Sequence, residues 1–210
     1  MSLLSRDQKF VWHPFTPQKN MPEPLAITSA KGSLLFDEEG NRYIDAISSW
    51  WVNIHGHAHP YIAEKIYRQA LQLEHIIFAG FTHQPAVDLA EKLLALLPLN
   101  FSKIFYSDDG STSTEVAIKM ALQYWWNQHE HQTSGQKRNK ILAFHNAYHG
   151  DTFGAMSVSD RSVFTAAFQE LLFDVIFIDT PSEENITTSK KIIEDNAKEI
   201  AAFIYEPLVQ

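Results

Sequence analysis

The sequence predicts an α/β protein: a mostly parallel sheet with helices on both faces, preceded by a small N-terminal β-meander and an arm. Four short apolar runs, "KIFYSD", "KILAFHN", "DVIFID" and "IAAFIYEP", recur between residues 103 and 207. Polar turns and helical periods separate them, which is the alternation of βαβ units whose strands are buried on both faces. Ahead of them, "ITSAKGSLLFDEEGNRYIDAIS" alternates apolar and polar residues on either side of "DEEG", the pattern of a hairpin with a Gly-containing turn.

In chain order, "VWHPFTPQKNMPEP" has neither helical nor strand period and reads as an extended arm, because each Pro removes a donor and restricts its predecessor. The meander follows. From His59-Pro60 the period becomes helical, in "YIAEKIYRQALQL" and then in "QPAVDLAEKLLALLP", which Pro98 ends. The segment "NQHEHQTSGQKRNK" is polar and predicts an exposed loop. Residues 1–58 are expected to form the arm and small-domain meander, and 59–210 the first part of a larger domain. That domain is expected to be truncated at Gln210, because "AAFIYEPLVQ" stops directly after a strand that a helix should cover.

Composition narrows the function. A chain of 210 residues with 45% hydrophobic content can bury a core. The net charge of −8, with no basic run, argues against a nucleic-acid partner, because phosphate backbones need a basic footprint. Cys is absent, which excludes disulfides and thiolate metal sites and is compatible with a reducing cytoplasm. No apolar run reaches the length of a membrane span, and Met1 to Gln18 holds no signal-like apolar core. A cytoplasmic protein without membrane or nucleic-acid partners is the expectation.

In parallel sheets ligands sit beyond the carboxyl ends of the strands, so the residues after each run are the candidates. After the first, Gly110-Ser111-Thr112 opens a helix, with Thr112 and Glu115 at capping-box spacing and Val116, Ala117, Met120, Ala121 and Tyr124 on one apolar face. Backbone N–H groups at such a start favour an anion, usually a phosphate, although a plain helix cap has the same pattern. Neither a Walker loop nor a dinucleotide fingerprint is present. After the second run, Tyr148-His149-Gly150-Asp151 offers an aromatic ring beside a close-approaching backbone; a simple turn with Asp151 as helix N-cap is the alternative. Glu206 ends the fourth run. In "SSWWVNIHGHAHP", Trp50 and Trp51 are expected to face opposite sides of a strand-like segment, one of them toward a pocket or an interface. His55, His57 and His59 alternate as metal ligands can, which keeps a metal-dependent hydrolase as a distant alternative.

Taken in order, "WHPFT", "SSWWVNIHGHAHP", "FAGFTHQPAVDLAEKL", "YSDDGSTSTEVAIKMALQYW", "NAYHGDTFGAMSVS" and "IYEPLVQ" resemble the class III aminotransferases that depend on pyridoxal phosphate. Within that class the likeness is to the biotin-pathway branch. The resemblance implies pyridoxal-phosphate fold type I, aspartate aminotransferase-like, and a homodimer. It implies that Gly110, Ser111 and Thr112 hold the cofactor's phosphate and that Tyr148 stacks on its ring. Phe15, Trp50, Trp51, Tyr148 and Glu206 would meet substrate, and Asp151 would brace the turn. The implied reaction converts 8-amino-7-oxononanoate to 7,8-diaminononanoate with adenosylmethionine as donor. Phe15 stands where adenosylmethionine users carry Tyr, which makes lysine the alternative donor. No metal is implied. The lysine that anchors the cofactor and the aspartate that pairs with its ring nitrogen are expected beyond "EPLVQ", so the fragment alone is expected to be inactive. Asp109, beside the phosphate cradle, departs from the family's small neutral residue and is expected to point away from the anion.

Overall fold

The computed structural model describes residues 2–129 and 137–208. The chain divides into two compact units, 1–92 and 93–210.

The first unit opens with helix α1 (Leu3–Phe10), capped by the Ser2 hydroxyl, which accepts from the Ser5 N–H. Residues 11–24 contain no helix or strand, as an arm rich in Pro requires. Strands β1 (Ile27–Lys31), β2 (Leu34–Asp37) and β3 (Arg42–Ile44) form an antiparallel meander in that order. Its β2–β3 turn is tied by Asp37, whose carboxylate accepts from the Glu39 and Asn41 N–H groups, with Gly40 at φ +83°.

After β3 the chain departs from expectation. Ser48–Trp51 is not strand-like but a single turn, α2, with Ser48, Ser49, Trp50 and Trp51 all at positive φ (50°, 48°, 63° and 70°). Both indoles are exposed, so neither is the core residue that a strand would have required. Helices α3 (Pro60–Gln72) and α4 (Gln84–Leu94) follow where the period placed them.

The second unit is built on a three-stranded parallel sheet in the order β5-β4-β6, from β4 (Lys140–Phe144), β5 (Val175–Ile178) and β6 (Ile200–Phe203). Helices α5 (Gly110–His129), α6 (Phe153–Val158) and α7 (Ile186–Asn196) and a 3-10 helix (Ala166–Leu171) complete it. Because side chains alternate along a strand, β4 sends Ile141 and Ala143 to one face and Leu142 and Phe144 to the other. The first pair packs with Ile118 and Leu122 of α5 and Val158 of α6; the second packs with Ile192 and Ile193 of α7. Helices therefore cover both faces, the arrangement expected of a buried parallel sheet. The run Lys103–Asp108, expected as a strand, lies outside this sheet, and Phe105 is exposed. An apolar run becomes a strand only where a ladder partner is offered, and β5 and β6 end the described sheet without pairing to it.

Helix α5 also packs differently from its predicted stripe. Ile118 is buried, whereas Met120 and Tyr124 are exposed; the Trp125 indole N–H donates to the Ala201 carbonyl at 2.7 Å. The helix is apolar over most of its circumference, and the sheet selects the 118–122–125 side. It runs into the start of the expected loop; residues 130–136 of that loop lie outside the described residues.

Arg161 fastens the end of α6. Its guanidinium donates to the carbonyls of Met156, Ser157 and Ser159 at 2.9–3.2 Å and lies 5.5 Å from the Phe177 ring centroid. Arg161→Met is expected to lower stability by about 2 kcal/mol, the size of lost charge-assisted hydrogen bonds whose carbonyls stay behind. Urea denaturation of the intact protein measures it; an unchanged midpoint would show that the carbonyls find water.

Candidate active site

The site candidates of the second unit converge at the carboxyl edge of the sheet. Helix α5 begins with a reciprocal cap: the Asp109 carboxylate accepts from the Thr112 N–H at 2.8 Å, and the Thr112 hydroxyl accepts from the Asp109 N–H at 3.1 Å. The capping box thus runs from Asp109 to Thr112, one turn earlier than the predicted Thr112–Glu115 pair. Two consequences follow. Asp109 is turned to its own helix, and the Thr112 hydroxyl, which also accepts from Ser107 at 2.7 Å, is engaged in the cap. The N–H groups of Gly110 and Ser111 are left at the open end, where the helix dipole favours an anion.

Facing them is the turn after β4. Gly150, at φ +126°, brings its backbone so close to Ser111 that a Cβ there would lie 2.1 Å from the Ser111 Oγ and 2.8 Å from its Cα. That approach lets the Asp151 N–H donate to Ser111 Oγ at 3.1 Å and the Thr114 hydroxyl donate to the His149 carbonyl at 3.1 Å. Asp151 thus contacts Ser111 through its backbone, and the alternative in which it is the N-cap of the following helix does not hold. Thr152 stands at that position, and its buried hydroxyl has no hydrogen-bond partner among the described residues. The cap comes instead from Glu115, whose Oε1 accepts from the N–H groups of Gly154 at 2.6 Å and Ala155 at 3.4 Å.

Between Asp109, Gly110, Ser111 and Thr114 on one side and Tyr148, His149 and Gly150 on the other lies a cleft of about 470 Å³. Tyr148 is 54% exposed, so its ring is open to a ligand, while its N–H donates to Glu206 Oε2 at 3.1 Å. Glu206, beyond β6, thereby ties the ends of two neighbouring strands. Partial burial, and then the Asp151 carboxylate, push the Tyr148 phenol above its ordinary pKa, so it stays protonated at neutral pH. The His149 backbone N–H donates to Ser159 Oγ at 2.8 Å, and its buried Nε2 has no hydrogen-bond partner among the described residues. Burial holds the imidazole pKa below its ordinary value against the opposing charge of Glu206, which favours the neutral ring.

The other candidates stand in the first unit. Phe15 and Trp50 meet edge to face with centroids 5.3 Å apart, and Trp51 is 65% exposed. The alternating histidines do not form a metal-ligand strand. His57 Nε2 lies 2.7 Å from Asp45 Oδ2, His55 stacks edge-on to His59, and among the described residues no three His, Asp or Glu side chains gather as a metal site would need.

Free backbone donors at a helix start, a glycine turn packed against Ser111 and an open aromatic ring thus meet around one cleft. An α/β fold with an anion-favouring helix start at the carboxyl edge of its sheet is the class this fold and site define. Residues 15–210 match the family Aminotransferase class-III, and the chain belongs to that family. It is 50% identical to the adenosylmethionine-8-amino-7-oxononanoate aminotransferase of Synechococcus elongatus over 95% of this chain and 48% of that protein. It is 40% identical to the enzyme of that name from Staphylococcus aureus over 99% of this chain and 49% of that one. Among solved structures, the adenosylmethionine-8-amino-7-oxononanoate aminotransferase of Methanocaldococcus jannaschii superposes with a TM-score of 0.85 at 37% identity, covering 96% of this chain and 45% of that one. An omega transaminase from Pseudomonas jessenii, solved in complex with PMP, gives 0.83 at 26% identity, covering 100% and 49%. The chain spans about half the length of the curated relatives it matches. Among the described residues, no helix is long and apolar enough to cross a membrane.

Proposed function

We propose that this chain is the arm, small-domain meander (1–58) and first part of the cofactor domain (59–210) of a pyridoxal-phosphate-dependent aminotransferase of biotin biosynthesis. It converts 8-amino-7-oxononanoate to 7,8-diaminononanoate, with adenosylmethionine as amino donor, as a cytoplasmic homodimer. The observation that carries this reading is the close approach of Gly150 to Ser111 in the cleft that the exposed Tyr148 also lines. The names of the relatives, which carry 8-amino-7-oxononanoate, support the acceptor.

When bound, pyridoxal phosphate supplies an electron sink that lets an amino group leave one carbon and join another. The chain's own residues hold and orient. Gly110 and Ser111 would donate their N–H groups to the phosphate, the Ser111 hydroxyl, whose oxygen accepts from the Asp151 N–H, would add its own proton, and Thr112 would fix them through the cap. Tyr148 would offer the ring an apolar face and keeps its phenolic proton at neutral pH. Glu206 accepts from the Tyr148 N–H and presents the rest of its carboxylate to the ammonium group of a substrate. Phe15, Trp50 and Trp51 offer ring faces suited to the apolar chain of the acceptor.

In the full-length holoprotein, Ser111→Ala is expected to weaken cofactor binding about tenfold, the size of one hydrogen bond to a charged group. Titration of the apoprotein followed by cofactor absorbance measures this, and unchanged affinity would remove the cradle assignment. In parallel, amination of 8-amino-7-oxononanoate is assayed with adenosylmethionine and with lysine. Turnover with lysine alone would reassign the donor; turnover with neither would leave only the aminotransferase class.

A further inference from the structure

We infer that Glu115 is a positioning residue of the cofactor site: its carboxylate latches the helix that bears the phosphate cradle to the turn that bears Tyr148. The inference rests on the aminotransferase reading above. Ser111, Thr114 and Glu115 lie at i, i+3 and i+4 on one side of α5, and all three reach across to residues 149–155. The first two contacts are made by hydroxyls. The third is a carboxylate placed on the first N–H groups of α6, where Thr152 provides no cap of its own. A charged acceptor against orphan helix donors is the strongest bond of the three. The packing is as close as the bonding, because a Cβ on Gly154 would lie 2.2 Å from Glu115 Oε2 and 2.6 Å from its Cδ.

The chemistry of the site gives this latch its purpose. The cradle donors sit on α5 and the stacking ring sits on the turn between β4 and α6, so one ligand must be gripped by two elements. Glu115 sets the register of one against the other from behind the cleft, whose lining it does not join. Its loss is felt at the cofactor as misalignment of Tyr148 over the ring while the phosphate donors stay in place.

The test uses the full-length protein as purified holoenzyme and as apoprotein. Glu115→Ala is expected to raise the dissociation constant for pyridoxal phosphate about tenfold or more and to reduce the visible circular dichroism of the bound cofactor, which reports the asymmetry of its surroundings. Glu115→Gln keeps an acceptor oxygen and is expected to recover both to within about threefold of wild type. A purely structural Glu115 would lower the melting temperature of the apoprotein but leave affinity and the visible band of the folded fraction unchanged, and that result overturns the proposal. Should Glu115→Ala fail to fold, Gly154→Ala, which pushes the carboxylate off its donors, is expected to give the same weakened binding and band. Wild-type affinity in that variant equally overturns it. A wild-type protein that takes up no pyridoxal phosphate overturns the aminotransferase reading itself, which separates the two failures.

Discussion

Gly150→Val is expected to cost at least a hundredfold in affinity for pyridoxal phosphate, about 2.7 kcal/mol, more than any single loss of a cradle donor. Two effects act together. At φ +126° a β-branched residue is strained whatever space surrounds it, by about 1–3 kcal/mol. The added Cβ would also stand 2.1 Å from Ser111 Oγ, 2.7 Å from its Cβ and 2.8 Å from its Cα, and no rotamer change relieves the last two. The turn must withdraw from α5, breaking the Asp151–Ser111 and Thr114–His149 bonds and carrying Tyr148 with it. Trimming the neighbour does not help: Ser111→Gly removes the hydroxyl and Cβ but leaves the clash with the backbone of residue 111, so the double variant is expected to remain defective. Absorbance titration of the apoproteins decides this. Binding by Gly150→Val at wild-type strength would show that the turn can move freely and that cradle and ring are not a unit.

The parts of this site that could be read from the sequence are the ones announced by local punctuation. Gly110-Ser111 and Tyr148-His149-Gly150 each follow an apolar run and precede a helical period, and the structure sets them face to face. The runs at Lys140, Asp174 and Ile200 were legible because strands buried on both faces are continuously apolar. What could not be read is what depends on a distant partner. Glu115 has the spacing of a local cap, yet its acceptor role is toward Gly154, 39 residues on. Trp125 chooses its face of α5 through the Ala201 carbonyl, 76 residues away. Arg161 resembles any surface cation until α6 ends beneath it. The pair of Trp residues misled for a related reason: aromatic residues favour strands, and no local preference predicts four consecutive non-glycine residues at positive φ.

That turn sets the last expectation, which concerns Asp45. Four residues in the left-handed region cost roughly 4–8 kcal/mol together, so α2 persists only because its surroundings hold it. The Ile47 carbonyl accepts the Trp51 N–H at 2.8 Å, and the Ser48 carbonyl accepts the Asn53 N–H at 3.0 Å. The side-chain clamp is Asp45, whose Oδ2 accepts from the Ser49 hydroxyl at 2.7 Å and lies 2.7 Å from His57 Nε2. Hydrogen bonding from the Ser49 backbone first, then from His57, holds this carboxyl well below its ordinary pKa of 3.8. The sign follows from that depression. The clamp is fully present above pH 3.8 and is lost only as pH falls below it toward the folded value. Removing it at neutral pH should release α2 and pull Trp50 away from Phe15, now 5.3 Å away. If Trp50 lines the acceptor's path as proposed, Asp45→Ala lowers kcat/KM for the ketone about a hundredfold, as misplacement by an ångström can, mainly through KM. Asp45→Asn keeps the shape but not the charge and should place Trp50 at pH 7 where wild type reaches only below pH 3.8. The fluorescence lost on Trp50→Phe in each background isolates that indole. A Trp50 signal indistinguishable between Asp45→Ala and wild type would mean that the backbone bonds alone hold the turn.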